Sequence, residues 1–146
     1  MITRVRTQDA RFPLAGGAGS DSVHSDPVYS YAVTWLETGS RLRGCGLAFT
    51  LGAGNELVCR AIEALAEPLV GREIEALMAD FGRVWRTLAD HPQYRWLGPH
   101  KGVVHLALAS LVNACFDLWA KARGVPLWRL LLDLEPEATI ALCDLS

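Results

Sequence analysis

The chain has 146 residues, of which 51% are hydrophobic and 21% are charged, and its formal net charge is -2. This length is enough to bury a real core in one domain, and the composition excludes a disordered chain and a basic nucleic-acid-binding domain. Residues 1–6 lack the apolar core and the cleavage site of a signal peptide, so we predict a cytoplasmic protein.

The N-terminal third has the two-residue periodicity of β-strands. Side chains alternate in character along residues 3–8 and again along residues 31–36, and residues 38–40 supply a turn before the run 42–50. These patterns predict a small antiparallel meander of three strands. Residues 13–27 are rich in Gly, Ser and Asp, which favours a long loop, and long loops in compact domains are often functional or mobile.

The remaining two thirds have helical patterns. Apolar residues recur at helical spacing after Gly54, with Asn55 as the expected N-cap, and Pro68 predicts the end of this helix. Residues 73–89 carry one continuous apolar stripe, which predicts a single amphipathic helix.

Residues 102–122 form an apolar run whose few polar positions drift around the helix. This pattern predicts a helix that is buried on most sides. Asn113 and Asp117 near its middle argue against a membrane span. Asp117 and Lys121 lie one helical turn apart, so we expect a supporting ion pair rather than a catalytic pair. A short helix over residues 127–134 is predicted next, followed by an extended apolar segment over residues 138–145.

Motifs that could carry chemistry are few. The glycines at 44, 46, 52 and 54 do not complete a dinucleotide-binding fingerprint. No histidine stands at a metal-ligand spacing from other ligands, and His105 is better explained as a structural histidine. The cysteines have no Cys-x-x-Cys spacing, which favours reduced, packed thiols; they are Cys45, Cys59, Cys115 and Cys143.

Four separated segments, in order along the chain, carry a family resemblance. They are RVRTQDARFP (4–13), GSDSVHSDPVYS (19–30), GCGLAFTLG (44–52) and RWLGPHKGVVH (95–105), the last continuing through NACFDLWAK (113–121) to GVPLW (124–128). Together these segments resemble the capping domain of L-fuconate dehydratases in the enolase superfamily.

The resemblance implies an α+β fold in which a three-stranded antiparallel meander is followed by a helical bundle. Residues 1–136 would form this capping domain, and residues 137–146 would form the first strand of a (β/α) barrel that is otherwise absent. In the family, two cap loops close over an acid-sugar substrate, and the barrel supplies Mg²⁺ carboxylates, a lysine base and a histidine. The implied reaction removes the proton next to the carboxylate, stabilises the enediolate with Mg²⁺ and expels the 3-hydroxyl as water.

Carried over position by position, the resemblance gives a short list of substrate-binding residues. Without the resemblance, Asp21 would be explained as a loop residue that binds its own backbone, and Tyr29 as a sheet aromatic. Two positions depart from the family, since His100 replaces a common Glu and Val28 replaces a common acidic residue. The substrate-binding list is Gly19, Ser20, Asp21 and Tyr29, with His24 and Phe49 as weaker candidates for the same pocket.

The catalytic groups themselves are not expected in this chain. It has no Lys-x-Lys base motif and no series of metal carboxylates, so we assign it no catalytic and no metal-binding residue, and we expect it to be inactive alone. Its expected partners are an acid sugar, bound jointly with the barrel, and a second copy of itself. One alternative is a stand-alone binding or oligomerisation module that exposes an apolar patch. A divergent enzyme built from this domain alone is the third hypothesis, and the sequence offers no acid-base constellation for it. We expect neither nucleic acid nor a membrane as partner.

Overall fold

The computed structural model describes residues 1–97 and 102–145. His100, and with it the centre of the 95–105 motif, lies outside the described residues. Three strands precede six α-helices and two short 3₁₀ helices, Glu67–Leu69 and Arg95–Leu97, within the described ranges. The elements are β1 (Ile2–Pro13), β2 (Val28–Thr38), β3 (Arg43–Thr50), α1 (Asn55–Leu65), α2 (Ile74–Met78), α3 (Phe81–Ala89), α4 (Val103–Ala122), α5 (Leu127–Leu132) and α6 (Pro136–Ala141).

The three strands form one antiparallel sheet in the order β1-β2-β3, which confirms the predicted meander. Val33 in the central strand pairs with Gln8 on one side and with Leu47 on the other. Alternate residues of β2 face the helices and are buried, whereas the residues between them are only half-buried on the outer face of the sheet. The alternation of side chains seen in the sequence therefore separates a helix-covered face from an outer face.

The helices cover one face of the sheet, and α4 is the central helix of that layer. It packs on β2 and β3 and contacts α1, α2, α3 and α5, which confirms the helix predicted over residues 102–122. By length and composition α4 could cross a membrane, and more than half of its most apolar stretch is buried inside this fold. Glycines on β3 allow a close approach, because a side chain at Gly44 or Gly46 would overlap the α4 backbone.

Polar side chains of α4 cover the free edge of β3. Asn113 donates to the carbonyl of Leu47 at 3.3 Å, and Asp117 accepts from the N–H of Cys45 at 2.7 Å. One turn further on, Lys121 donates to the carbonyl of Arg43 at 3.0 Å and to Asp117 at 2.5 Å. The predicted ion pair is thus confirmed. Its side chains also occupy the free edge of β3, and an unpaired strand edge could otherwise pair with another chain.

Removing the Asp117 carboxylate is expected to weaken this edge. Asp117→Ala leaves the N–H of Cys45 and the ammonium of Lys121 without their shared acceptor, so we expect about 1–2 kcal/mol less unfolding free energy in urea. Asp133→Ala is the matched control, because Asp133 forms an i,i+4 pair with Arg129 that is more than half exposed. Asp133→Ala should change the free energy of unfolding by less than about 0.5 kcal/mol. Equal effects in the two variants would contradict the edge-covering role.

Two local predictions about the helices are wrong. The helix expected over residues 73–89 is interrupted at Asp80, whose φ of -142° breaks the helical hydrogen bonding between α2 and α3. Both halves still bury the same apolar stripe, and Phe81 packs edge-on against Phe116 of α4 with ring centroids 5.4 Å apart. Asn55 is not the N-cap of α1: Gly54 takes that position with a φ of 87°, and the Asn55 side chain bonds to neighbouring strands instead.

The extended segment predicted over residues 138–145 is also corrected, because Pro136–Ala141 form helix α6. Pro136 stands in the first turn, where its missing N–H costs nothing. No neighbouring strand lies beside the segment within the described residues, so an extended backbone would leave its polar groups unpaired. Helical bonds satisfy them locally, as in the bond from Thr139 N–H to the carbonyl of Glu135 at 3.0 Å. The assignment of residues 137–146 to a barrel strand is therefore not met in this structure, and the domain division at residue 136 stays a prediction.

Candidate functional site

The loop between β1 and β2 is folded by its own side chains. The carboxylate of Asp26 accepts from the N–H of Gly17 at 2.9 Å, and the hydroxyl of Ser20 accepts from the N–H of Asp26 at 3.0 Å. Asp26 itself has a φ of 48°, which is uncommon for a residue with a side chain. These bonds tie the start of the loop to its end, so the loop is preorganised although residues 15–26 are exposed.

Asp21 and His24 form a second set of contacts inside this loop. One carboxylate oxygen of Asp21, Oδ1, accepts from the N–H groups of Val23 at 2.8 Å and His24 at 2.7 Å. The ring nitrogen Nδ1 of His24 lies 3.0 Å from the same oxygen. The backbone bonds, the His24 contribution first, together with the ring contact lower the pKa of Asp21 to about 2. Asp21 therefore does bind its own backbone, and it remains a carboxylate at neutral pH.

Tyr29, Phe49 and Gly19 come together at the end of the sheet next to this loop. The rings of Tyr29 and Phe49 meet edge to face with centroids 5.1 Å apart, and Tyr31 packs against Phe49 at 5.6 Å. Gly19 lies over the hydroxyl end of Tyr29, since a Cβ at Gly19 would be 3.0 Å from that oxygen. The predicted pocket residues Gly19, Tyr29 and Phe49 are therefore neighbours.

The other predicted residues are placed differently. Asp21 and His24 contact each other, and Ser20 is bound to Asp26, but no hydrogen bond or ring contact among the described residues joins these three to Tyr29 or Phe49. The substrate-binding role of the whole set stays a prediction. Sequence reasoning missed two further aromatic residues of the same outer face, Phe12 and Tyr31, whose centroids are 5.9 Å apart.

A second loop, residues 51–54, lies beside the first. Gly52 sits against Val28 at the start of β2, where an added Cβ would be 3.2 Å from the Val28 side chain. The base of this second loop is held by Asn55, which is fully buried. Its side chain accepts from the Thr50 hydroxyl at 2.7 Å and donates to the Asp9 carboxylate at 2.5 Å. The sequence signal for this role is weak, because the local pattern around Asn55 indicates only a helix cap.

A close contact at Gly19 predicts a specific sensitivity of the first loop. Gly19 has a φ of 71°, and an added Cβ would lie 2.8 Å from Leu14 and 3.0 Å from the Tyr29 hydroxyl. Gly17 has a similar φ of 77° with open space around it. Both alanine variants carry the backbone strain of positive φ, about 1 kcal/mol, and only Gly19→Ala should also displace the loop from Tyr29. We expect changed Tyr29 ring resonances in Gly19→Ala and unchanged ones in Gly17→Ala; identical spectra in both variants would contradict the contact.

The described residues hold no metal-ligand set, and their two buried thiols are not activated. Across residues 1–97 and 102–145, no three His, Cys, Asp or Glu side chains come together as ligands. All four cysteines are free thiols. Burial raises the pKa of Cys115 to about 12 and also raises the pKa of Cys59, so neither is a thiolate at neutral pH. His105 packs edge-on against Trp85, with ring centroids 6.3 Å apart, which agrees with a structural role.

Known proteins resemble this chain over nearly all of its length. Mitochondrial enolase superfamily member 1 of Homo sapiens is 44% identical over 146 residues, covering 98% of this chain and 33% of the human protein. The crystal structure of the human protein matches with a TM-score of 0.91 over 97% of this chain and 33% of that chain. The L-galactonate dehydratase of Hypocrea jecorina is 45% identical over 144 residues, covering 98% of this chain and 32% of that enzyme.

A more distant structure shares the fold. A racemase from Streptomyces coelicolor A3(2), crystallised with bound magnesium, is 25% identical with a TM-score of 0.77, over 93% of this chain and 36% of that chain. No protein-family model matches the sequence. The chain spans about a third of the length of the curated relatives it matches.

Proposed function

We propose that this chain, which has the fold of an enolase-superfamily N-terminal capping domain, is the substrate-covering part of an acid-sugar dehydratase. The observation that carries the proposal is the pair of neighbouring loops, residues 14–27 and 51–54, at one end of the sheet. Gly52 packs on Val28 between them, and the Tyr29 hydroxyl lies beneath the first loop. The hydroxyl of Tyr29, the carboxylate of Asp21 and the glycine backbone of the loops can bind a polyol, whose hydroxyls both donate and accept hydrogen bonds.

An apolar surface on the helical side supports a large partner. α5 buries only Leu130, while Trp128 is 62% exposed and Leu132 is 74% exposed. Ile140 of α6 is 56% exposed as well. Contiguous exposed apolar surface marks an interaction site, and Trp128 and Leu132 lie one helical turn apart on α5. In the proposal, this surface contacts the catalytic part of the enzyme, and in its absence the isolated chain self-associates.

The groups that remove the substrate proton are assigned to sequence outside this chain. The described residues do not fit a Mg²⁺ site, because no three potential ligands converge among them. The proposal therefore assigns Mg²⁺ and the base that removes the proton to sequence outside these 146 residues. This chain contributes contacts that orient the sugar acid and exclude water.

Two sugar acids are the candidate substrates. The sequence resemblance favours L-fuconate, and the name of the Hypocrea jecorina relative suggests L-galactonate. The two acids share their hydroxyl configuration and differ by one hydroxyl at C6. We propose dehydration of L-fuconate as the activity and use L-galactonate as the matched competitor.

A fusion protein tests the function. We would join this chain to the C-terminal two thirds of the Hypocrea jecorina L-galactonate dehydratase and measure formation of the 2-keto-3-deoxy acid from both substrates. The fusion is expected to be active, and each part alone is expected to be inactive. The intact Hypocrea jecorina enzyme serves as positive control.

The stand-alone hypothesis makes the opposite prediction. A folded fusion that is inactive on both acids would contradict the capping role, whereas a chain that stays monomeric in sedimentation would count against the exposed apolar surface that both hypotheses share. Turnover of L-fuconate by the isolated chain would contradict the assignment of the catalytic groups to sequence outside it.

A further inference from the structure

The contact between Asp21 and His24 also fixes the orientation of the His24 ring. Nδ1 of His24 lies 3.0 Å from Oδ1 and 3.1 Å from Oδ2 of Asp21, so one ring nitrogen faces both carboxylate oxygens. Two backbone N–H groups already donate to Oδ1. The His24 side chain is nevertheless 47% exposed, so a ligand can reach the ring.

The protonation of the pair follows from these contacts. The backbone and ring hydrogen bonds keep the pKa of Asp21 near 2, so at neutral pH the carboxylate can only accept hydrogen bonds. Nδ1 of His24 must therefore carry the hydrogen that it shares with Asp21. In the neutral imidazole, the hydrogen on Nδ1 leaves a lone pair on Nε2, at the far side of the ring.

We propose that His24 contacts the sugar acid through Nε2, which accepts a hydrogen bond from a substrate hydroxyl, and that Asp21 is the residue that positions it. This inference rests on the proposed function. It reverses the ranking expected from the sequence, in which Asp21 preceded His24. Asp21 accepts three donors of the loop at Oδ1, and its Oδ2 faces the His24 ring, whereas no hydrogen bond within the described part of the chain uses Nε2 of His24.

Hydroxyl recognition fits this chemistry better than anion recognition. A neutral Nε2 has no hydrogen to donate to a carboxylate or phosphate, and the adjacent Asp21 carboxylate repels both. The contact is therefore assigned to the polyol part of the substrate and not to its carboxylate.

Nitrogen-resolved NMR of the free chain tests the orientation of the ring. In its neutral form, His24 should show the Nδ1–H tautomer. Asp21→Ser keeps a hydroxyl acceptor for the local turn and is too short to reach the ring, so the tautomer should become mixed. Asp26→Ser is the matched control, because it removes the other carboxylate of the loop and leaves the pair intact. An Nε2–H tautomer in the unmodified chain would overturn the proposal.

Two substitutions in the fusion protein separate substrate contact from loop structure. In His24→Asn the amide can replace Nδ1 toward Asp21 but does not reach the position of Nε2, and in His24→Gln the longer amide reaches it. We expect KM for the sugar acid to rise by between about two-fold and about ten-fold in His24→Asn with little change in kcat, as for one lost hydrogen bond. His24→Gln should recover most of that loss.

The opposite pattern, with His24→Asn normal and His24→Gln impaired, would show that His24 acts only inside the loop and would overturn the contact. An unmodified fusion that is inactive on both acids would instead refute the proposed function, and the inferred contact with it.

Discussion

Gly46→Ala is expected to destabilise the chain strongly, because its added methyl group has no room against the central helix. A Cβ at Gly46 would overlap the carbonyl oxygen of Ser110 and the amide nitrogen of Ala114, both in the backbone of α4. Neither atom can rotate away, so the whole helix must shift from β3. Overpacking of this kind costs about 3 kcal/mol or more. For a chain of this size, the melting temperature should fall by about 10 °C.

Gly16→Ala is the control for that variant. Gly16 also lies outside the positive-φ region, and an added Cβ there meets nothing within 4 Å. The melting temperature of Gly16→Ala should match the unmodified chain or rise slightly through the unfolded state. A Gly46→Ala protein with normal stability would mean that β3 and α4 do not approach each other so closely.

The second large effect is expected at Asn55. This side chain is fully buried and joins three strands by accepting from Thr50 and donating to Asp9 and to the carbonyl of Tyr31. Asn55→Ala removes the acceptor of the Thr50 hydroxyl and the donor to the Tyr31 carbonyl, whereas Asp9 keeps its bonds from Arg11. Unsatisfied buried groups of this type cost about 1–3 kcal/mol each, and we expect a total loss near 3 kcal/mol in urea unfolding.

Asn113→Ala is the matched asparagine control. Asn113 makes one bond of 3.3 Å to the carbonyl of Leu47 and its side chain is exposed. We expect a loss of about 0.5–1 kcal/mol in that variant. The Asn55 network would be disproved as a stabilising element if both substitutions had the same small effect.

Local periodicity predicted the strands and helices that bury one face or all of their faces. The alternation along β2 and the apolar run of α4 are visible in short windows, since burial on one face or on all faces leaves a repeating pattern. The three-stranded meander and the long central helix were predicted for this reason.

Features that depend on distant partners were not predictable in this way. Asn55 bonds to Asp9, 46 residues earlier in the chain, so its cap-like sequence context was misleading. α6 is helical because no strand lies beside it within the described residues, although the apolar pattern of residues 138–145 favoured a strand. The break at Asp80 left the apolar stripe intact and therefore gave no signal.

The candidate site, too, was predictable from the sequence only in part. Gly19, Tyr29 and Phe49 came from a family resemblance, and the structure brings them together. The pairing of Asp21 with His24 is a three-residue spacing that many loops contain without a contact. Its chemical meaning depends on the ring orientation, which the sequence does not encode in any local pattern.

Hydrogen exchange of the fusion protein with a sugar acid bound is the measurement that tests the capping role most directly. The ligand would be 3-deoxy-L-galactonate, which lacks the hydroxyl that leaves as water and so stays intact. We predict slower exchange at the amides of residues 17–26 and 51–54, and unchanged exchange at the far hairpin, residues 38–43. Bound ligand with unchanged exchange in both loops would contradict the claim that this chain covers the substrate.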